Sequence, residues 1–254
     1  MLTMLGIENS FIPVRGVGEK TEQKLWQAGV TTWDDFDGSV VGPTKAERIE
    51  EFISTARTHL DEGNAYYFGQ VFPEESYWRL YENFSEETCF LDIETTGLNE
   101  WHDDVTMVGL YQGGEMTTLV RGQNLSQDTL VEELQDTKLL VTFNGEEFDL
   151  PFLERAFDVE VVAPHIDLMK VCRRLGYSGG LSFIERQVGI ERDRPDLSGE
   201  DAVRLWREYE RGDDASLDTL IDYNREDVMN LEILLDVVTS QLHEEVFESA
   251  RESR

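Results

Sequence analysis

Lysine is scarce in this chain of 254 residues. Only 5 lysines accompany 17 arginines, and 53 acidic residues give a formal charge of −31. This shortage of basic residues excludes a protein that coats nucleic acid or a membrane surface by charge alone. Cysteine is also rare, and Cys89 and Cys172 both lie in apolar segments. We expect them to be buried free thiols, not members of a disulfide framework or a zinc site.

Long hydrophobic runs are missing as well. No stretch approaches the roughly 18 apolar residues of a membrane span, and the first residues, MLTMLGIENSF, lack the cationic region of a signal peptide. We therefore expect a cytoplasmic protein without a membrane partner. Hydrophobic residues make up 40% of the chain, which is sufficient for one sizeable core and a small satellite domain.

The acidic residues are scattered over every segment. A dispersed acidic surface with few lysines suggests adaptation to a cytoplasm of molar salt, where the Debye length falls to about 3 Å and self-repulsion is screened. The alternative is a mesophilic protein that is merely acidic.

The amino-terminal third has a helical pattern. Residues 1–62 are predicted to form short helices around a glycine turn, with a longer helix at 44–61 that ends before Gly63. Residues 63–85 carry aromatic side chains without a clear period, and we interpret them as a packed connector.

From Thr88 onward, strand-like and helical patterns alternate. A three-strand meander, a helix at 126–136, a further strand, a helix at 147–157 and a short extended segment are followed by helices. This order predicts an α/β fold over 86–245, followed by a polar tail at 246–254.

Two acids interrupt the apolar strand CFLDIETTGL. Side chains alternate along a strand, so Asp92 and Glu94 project from one face, about 7 Å apart along the strand, while Leu91 and Ile93 project from the other. Two carboxylates at the edge of a core repel each other unless a cation neutralises them. A metal site explains the pair, and an exposed edge strand with an acidic outer face is the alternative.

Three further candidates follow the strand. Asp149, in VTFNGEEFDLPFL, begins an apolar helical stretch, and a helix N-cap is its alternative role. Tyr223 and Asp227 lie one turn apart on the margin of the apolar stripe of a long helix, so both side chains can meet one reacting group. A solvated flank of the helix is the alternative for this pair.

In this order the motifs FLDIET, N-x-x-x-F-D and Y-x-x-x-D resemble the DEDDy subset of the DnaQ-like exonucleases, over about 86–240. The stretches HIDLMKVCRRLGYSGGLSFIERQVGI and LIDYNREDVMNLEILL are most similar to the YprB-type ribonuclease-H-like domain. The resemblance implies a ribonuclease-H-like mixed sheet flanked by helices. It also implies two divalent cations, Mg²⁺ or Mn²⁺, held by Asp92, Glu94, Asp149 and Asp227, with Asp92 bridging the ions and Tyr223 orienting the attacking water.

The segment FIPVRGVGEKTEQKLWQAGVTTWDDF resembles a helix-hairpin-helix module covering about 10–60. Glycines at Gly16 and Gly18 let a backbone approach a phosphate closely, and Lys20 adds a positive charge. A simple turn before a helix is the alternative. Asn144 either positions the loop of Asp149 or meets substrate, while Asp167 at a strand-to-helix junction is interpreted as an N-cap in preference to a metal ligand.

The resemblance implies a metal-dependent 3′–5′ exonuclease that hydrolyses phosphodiester bonds by a two-metal mechanism in repair or end processing. DNA is the expected substrate because helix-hairpin-helix modules of the family commonly hold DNA, and RNA is the nearest alternative. A second hypothesis is a non-catalytic nucleic-acid-binding adaptor of a helicase or repair complex.

The salt hypothesis makes a direct prediction. The unfolding temperature should rise from dilute buffer to molar KCl because ions screen repulsion among the surface acids. A KCl titration of thermal unfolding measures this. An unfolding temperature that is no higher at molar KCl than in dilute buffer would contradict salt adaptation.

Overall fold

The computed structural model describes residues 4–252. Residues 1–3 and 253–254, which the predicted first domain and tail include, lie outside that range. The described residues form two compact units: one runs to Ser85 and resumes at Val238, and the other comprises Glu86–Val237. No helix within the described part of the chain is long and apolar enough to cross a bilayer.

The first unit is helical, as predicted. Gly42 and Pro43 start its longest helix, because Pro at the first helical position sacrifices no intrahelical hydrogen bond. Its regular elements up to Ser85 are α1 (Glu19–Gln27), α2 (Pro43–Asp61), α3 (Ala65–Val71) and α4 (Tyr81–Phe84), with 3₁₀ turns at Ile7–Asn9, Trp33–Asp35 and Glu74–Leu80.

The second unit alternates strands and helices. Its elements are β1 (Thr88–Thr95), β2 (Val105–Gln112), β3 (Glu115–Val120), α5 (Gln127–Leu134), β4 (Leu139–Thr142), α6 (Asp149–Phe157), β5 (His165–Asp167), α7 (Leu168–Arg174), α8 (Leu181–Val188), α9 (Gly199–Tyr209) and the long helix α10 (Asp214–His243), whose last residues belong to the first unit.

Five strands form one mixed sheet in the order β3-β2-β1-β4-β5. The pairs β1–β2 and β2–β3 are antiparallel, whereas β1–β4 and β4–β5 are parallel. The predicted three-strand meander and the α/β class are therefore confirmed. β1 lies at the centre of the sheet, where β2 pairs with it from Cys89 to Thr95 and β4 pairs with it over residues 88–90.

The two faces of the sheet are covered differently. Leu91 and Ile93 of β1 pack into a core with side chains of α5 and α6. On the opposite face, Met107 of β2 packs with α9 and α10. Glu94 pairs in register with Met107, and residues opposite each other on neighbouring strands point to the same side. The acids of β1 therefore face the α10 side of the sheet.

The segment predicted as a connector, 63–85, is instead part of the first unit. Arg79 in this segment lies in a buried ion pair with Glu22 of α1, with Nη1 and Oε1 3.0 Å apart. Arg79 also donates to Ser10 Oγ over 2.6 Å. A buried pair holds a fixed geometry because separating the charges leaves each one unpaired away from water.

The carboxyl-terminal prediction requires a correction. The segment predicted as a polar tail, 246–254, is helical as far as it is described: a π-helical turn, Glu244–Glu248, leads into α11 (Ser249–Glu252). Phe247 is buried, and its ring lies 5.0 Å from that of Trp26, edge to face. The contact with Trp26 of α1 holds this end of the chain in place. Both Trp26 and Phe247 belong to the first unit.

Both cysteines are buried free thiols, as predicted. Burial raises the pKa of Cys89 and that of Cys172 to about 12. Neither thiol ionises appreciably near neutral pH, so neither is an activated nucleophile.

Candidate active site

Strand β1 presents the first two acids. Leu91 and Ile93 lie in the core on one face, so alternation places Asp92 and Glu94 together on the other. The antiparallel ladder with β2 shifts register between Glu94 and Thr95. The acids therefore lie on the last regular residues of the central strand, where the ladder becomes irregular and a side chain can be re-aimed.

Helix α10 brings Asp227 to the same face. Gly109 of β2 is the register partner of Asp92, and a Cβ atom there would lie 2.8 Å from a methyl group of Val228. The missing side chain lets α10 approach the sheet closely, and Asn224 donates to Asp92 Oδ2 over 2.9 Å. One carboxylate oxygen each of Asp92, Glu94 and Asp227 lies within 4.8 Å of the others.

Asp149, at the start of α6, is not one of the three acids that lie within 4.8 Å of one another. The helix begins at Asp149, with Phe148 in the cap position, so the N-cap alternative for Asp149 is wrong. The buried carboxylate instead accepts a hydrogen bond of 3.2 Å from the backbone amide of Ile93, between the two acids of β1. This contact ties the start of α6 to the strand.

Burial and mutual repulsion dominate the electrostatics of this pocket. Glu94, Asp149 and Asp227 are buried, and Asp92 is partly buried. Burial, followed by repulsion from neighbouring carboxylates, raises the pKa of Asp92 and that of Glu94 well above their usual range. Burial also raises the pKa of Asp149 to about 7 and that of Asp227 to about 6. Such groups favour a cation among them.

The donor set fits a divalent metal ion. Glu94 Oε1 is buried and has no hydrogen-bond partner among the described residues, although a buried carboxylate oxygen normally accepts at least one bond. The cluster of Asp92, Glu94 and Asp227 offers only oxygen atoms, the ligands that Mg²⁺ and Mn²⁺ prefer. A cation between these side chains would supply the partner that Glu94 lacks.

Tyr223 lies one turn before Asp227 on α10, and its hydroxyl favours the ionised carboxylate, which partly offsets the rise that burial imposes on the pKa of Asp227. Burial and the surrounding acids raise the pKa of Tyr223 well above its usual range. The phenol therefore stays protonated at neutral pH and can donate a hydrogen bond.

Sequence reasoning missed Arg192. Its guanidinium bonds to Asp227 and lies 5.4 Å from the centre of the Tyr223 ring. Arg192 lies in the irregular segment GIERDRPDLS between α8 and α9, where no periodicity indicates a partner. Asn224 was also missed, although its spacing of three residues from Asp227 on a helix could have revealed it.

Asp167 organises the loop before Asp149. It caps α7 by accepting from the Met169 amide over 3.0 Å, which confirms the N-cap interpretation. The same carboxylate accepts from the amide of Asn144 over 2.8 Å and from that of Glu146 over 3.4 Å. Asn144 has a positive φ of 66°, a strained conformation that asparagine tolerates better than most residues. Asp167 thus holds this loop in shape.

The predicted hairpin residues lie in the first unit. Gly16 has a φ of +88° and forms the turn, Gly18 is the N-cap of α1, and Lys20 is exposed. The described residues before the turn contain only a 3₁₀ turn, Ile7–Asn9. A regular first helix of a helix-hairpin-helix module is therefore absent from residues 4–18, and Gly16, Gly18 and Lys20 remain predicted contacts.

The five-stranded mixed sheet with its flanking helices and central acids defines a ribonuclease-H-like fold. Residues 89–239, more than half of the chain, match the family model of the RNase_H superfamily. The chain belongs to the RNase H superfamily. No protein in the curated set matches it.

Several solved structures are distantly similar. The apo form of a nuclease aligns with a TM-score of 0.47 and 23% identity, covering 65% of this chain and 77% of the nuclease. Brucella melitensis NrnC with bound Mg²⁺ aligns with a TM-score of 0.47 and 22% identity over 67% of this chain and 81% of NrnC. The family B DNA polymerase of the archaeon Pyrobaculum calidifontis aligns with a TM-score of 0.48 and 15% identity, covering 65% and 27%. The superfamily assignment rests on the family model alone.

Proposed function

We propose that this protein is a metal-dependent 3′–5′ exonuclease of the DEDDy type, related to the YprB-type ribonuclease-H-like domain. The observation that carries the proposal is the approach of Asp92, Glu94 and Asp227 to within 4.8 Å of one another in a chain of the RNase H superfamily. Like charges are gathered in a buried pocket only where a cation compensates them or where their pKa values rise.

The four acids and their neighbours have different roles in this proposal. Asp92, Glu94, Asp149 and Asp227 would hold the Mg²⁺ or Mn²⁺ ions. A pair of such ions polarises water and stabilises the oxygen that leaves a phosphodiester. Tyr223, kept protonated by burial, orients the attacking water through its hydroxyl. Asn224 fixes Asp92, and Asp167 fixes the loop that leads to Asp149.

The polarity and the substrate of this proposal come from the sequence resemblance. The DEDDy motifs imply attack at a 3′ end with release of 5′-mononucleotides. DNA is the proposed substrate, with RNA as the nearest alternative, because the helix-hairpin-helix modules that the segment around Gly16 and Gly18 resembles commonly hold DNA. At a net charge of −31, affinity rests on a few local contacts and not on a basic groove.

The catalytic proposal predicts the behaviour of two isosteric variants. Asp92→Asn and Asp227→Asn should each lower the rate of Mn²⁺-dependent degradation of 3′-extended oligonucleotides by at least roughly a hundredfold, the usual effect of losing one group that stabilises charge in a transition state. Gel analysis of labelled single-stranded DNA and RNA, run in parallel, measures the rate, the polarity and the sugar preference.

Exposed Asp128 on α5 provides the matched control, and Asp128→Asn should retain full activity. Asp92→Asn should unfold at no lower temperature than the parent in metal-free buffer, since it removes one charge from a repelling group. Undiminished cleavage by both site variants would refute the proposal. Oligonucleotide binding without cleavage by the parent protein would favour the adaptor role.

A second feature supports nucleic acid as the substrate. Trp101, in the loop between β1 and β2, is 64% exposed, and the Arg155 guanidinium of α6 lies 3.9 Å from the ring centre. The loop follows the strand of Asp92 and Glu94, and α6 begins at Asp149. An exposed indole beside a cation is suited to stack a base and attract its phosphate.

Stacking of a base on Trp101 predicts a fluorescence signal. A single-stranded oligonucleotide added in EDTA should quench the tryptophan emission, and Trp101→Phe should abolish that quenching, since all other tryptophans are buried: Trp26, Trp33, Trp78 and Trp206. Trp206→Phe is the matched control and should leave the quenching unchanged. Equal quenching in the parent and in Trp101→Phe would contradict base stacking on Trp101.

A further inference from the structure

The Arg192 side chain is almost completely enclosed by acids. It is only 5% exposed, and its Nη1 lies 2.9 Å from Glu185 Oε2. Its Nε lies 3.5 Å from Glu226 Oε2, and its Nη2 bonds to Asp227 Oδ1. All three guanidinium nitrogens therefore face carboxylates, one of which belongs to the acid cluster.

The guanidinium is also anchored by an acid that is not part of the cluster. Glu185 of α8 is fully buried, and its second oxygen accepts from Asn230 Nδ2 over 3.0 Å. A buried carboxylate that is bonded on both oxygens holds its partner in one place, because separating them leaves charges unpaired in a poorly hydrated core. Glu185 and Asn230 thus fix Arg192 against Asp227.

We propose that Arg192 is an internal counter-cation of the acid cluster, which neutralises Asp227 in the metal-free protein and competes with a divalent cation for that carboxylate. The inference rests on the proposed metal site and adds a residue that sets its affinity. Glu185 and Asn230 act through Arg192 as positioning residues.

The charge balance around Asp227 supports the competition. Arg192 supplies one positive charge, in contact with an acid that is itself within 4.8 Å of Asp92 and Glu94. A bound metal ion and the guanidinium are both attracted to the same carboxylates. Each therefore weakens the binding of the other, and this coupling is reciprocal. Removal of the guanidinium contact should therefore tighten metal binding.

The variant has to avoid a folding artefact. Arg192→Met alone leaves Glu185 buried without its charge partner, which is strongly destabilising. The double variant Glu185→Gln/Arg192→Met removes one charge of each sign, keeps the net charge unchanged, and retains an oxygen at position 185 for Asn230. Its effect on metal binding reports the lost contact with Asp227.

A surface ion pair on the same segment provides the matched control. Arg194 Nε lies 3.8 Å from Asp196 Oδ1, with the two side chains 46% and 72% exposed. Arg194→Met/Asp196→Asn makes the same change of charge outside the acid cluster. Circular dichroism of all three proteins shows that the folds are comparable.

Isothermal titration calorimetry with Mn²⁺ alone, without nucleic acid, tests the proposal. We expect the double variant at 185 and 192 to bind Mn²⁺ with about a tenfold lower Kd than the parent, within the usual range of coupling between two sites. The control double variant should bind like the parent. Thermal unfolding with and without Mn²⁺ should show a larger stabilisation of the variant at 185 and 192 than of the parent.

Equal or weaker Mn²⁺ binding by the variant at 185 and 192 would overturn the proposal that Arg192 competes with the metal ion. Mn²⁺ binding by this variant but not by the parent would support the counter-cation in its strongest form. Absence of binding in both would overturn the proposed metal site and the counter-cation together. A parent that binds Mn²⁺ with no gain in the variant refutes only the role of Arg192.

Discussion

Repulsion among buried carboxylates governs the second unit of this protein. Asp92, Glu94 and Asp227 form one cluster on the α10 side of the sheet, Asp149 lies against the Ile93 amide between the two acids of β1, and burial raises the pKa of all four carboxylates. A fold tolerates such a cluster only if other groups stabilise the negative charge or a cation enters. The hydrogen bonds around the site are best understood as responses to this constraint.

The surrounding structure meets the constraint with different groups at each acid. Asn224 donates to Asp92, the Ile93 amide donates to Asp149, and Arg192 pairs with Asp227. Glu94 keeps one buried oxygen without a partner among the described residues. Of the four acids, Glu94 is therefore the one with a buried oxygen left to bind a cation. Gly109 makes the arrangement possible, because it allows α10 to lie close to the sheet.

Periodic patterns explain which parts of the structure could be predicted. Alternation along β1 placed Asp92 and Glu94 on one face, and helical spacing placed Tyr223 beside Asp227, because both rules depend only on local geometry. Arg192 could not be found in this way, since its segment has no period and its partners lie on α8 and α10. The helical end of the chain was missed because its polar residues mask Phe247, whose burial depends on a distant partner, Trp26. The helix-hairpin-helix interpretation relied on glycine spacing, which a single turn before α1 also satisfies.

The convergence of Asp92, Glu94 and Asp227 on shared cations is the central claim, and a crystal structure of the protein soaked in Mn²⁺ tests it most directly. Anomalous difference density, collected at the manganese edge, would locate the metal independently of activity. The account predicts anomalous peaks in contact with these three carboxylates, one of them within reach of both Asp92 and Asp227. Ordered side chains at these positions without any anomalous peak, in crystals soaked at millimolar Mn²⁺, would contradict it.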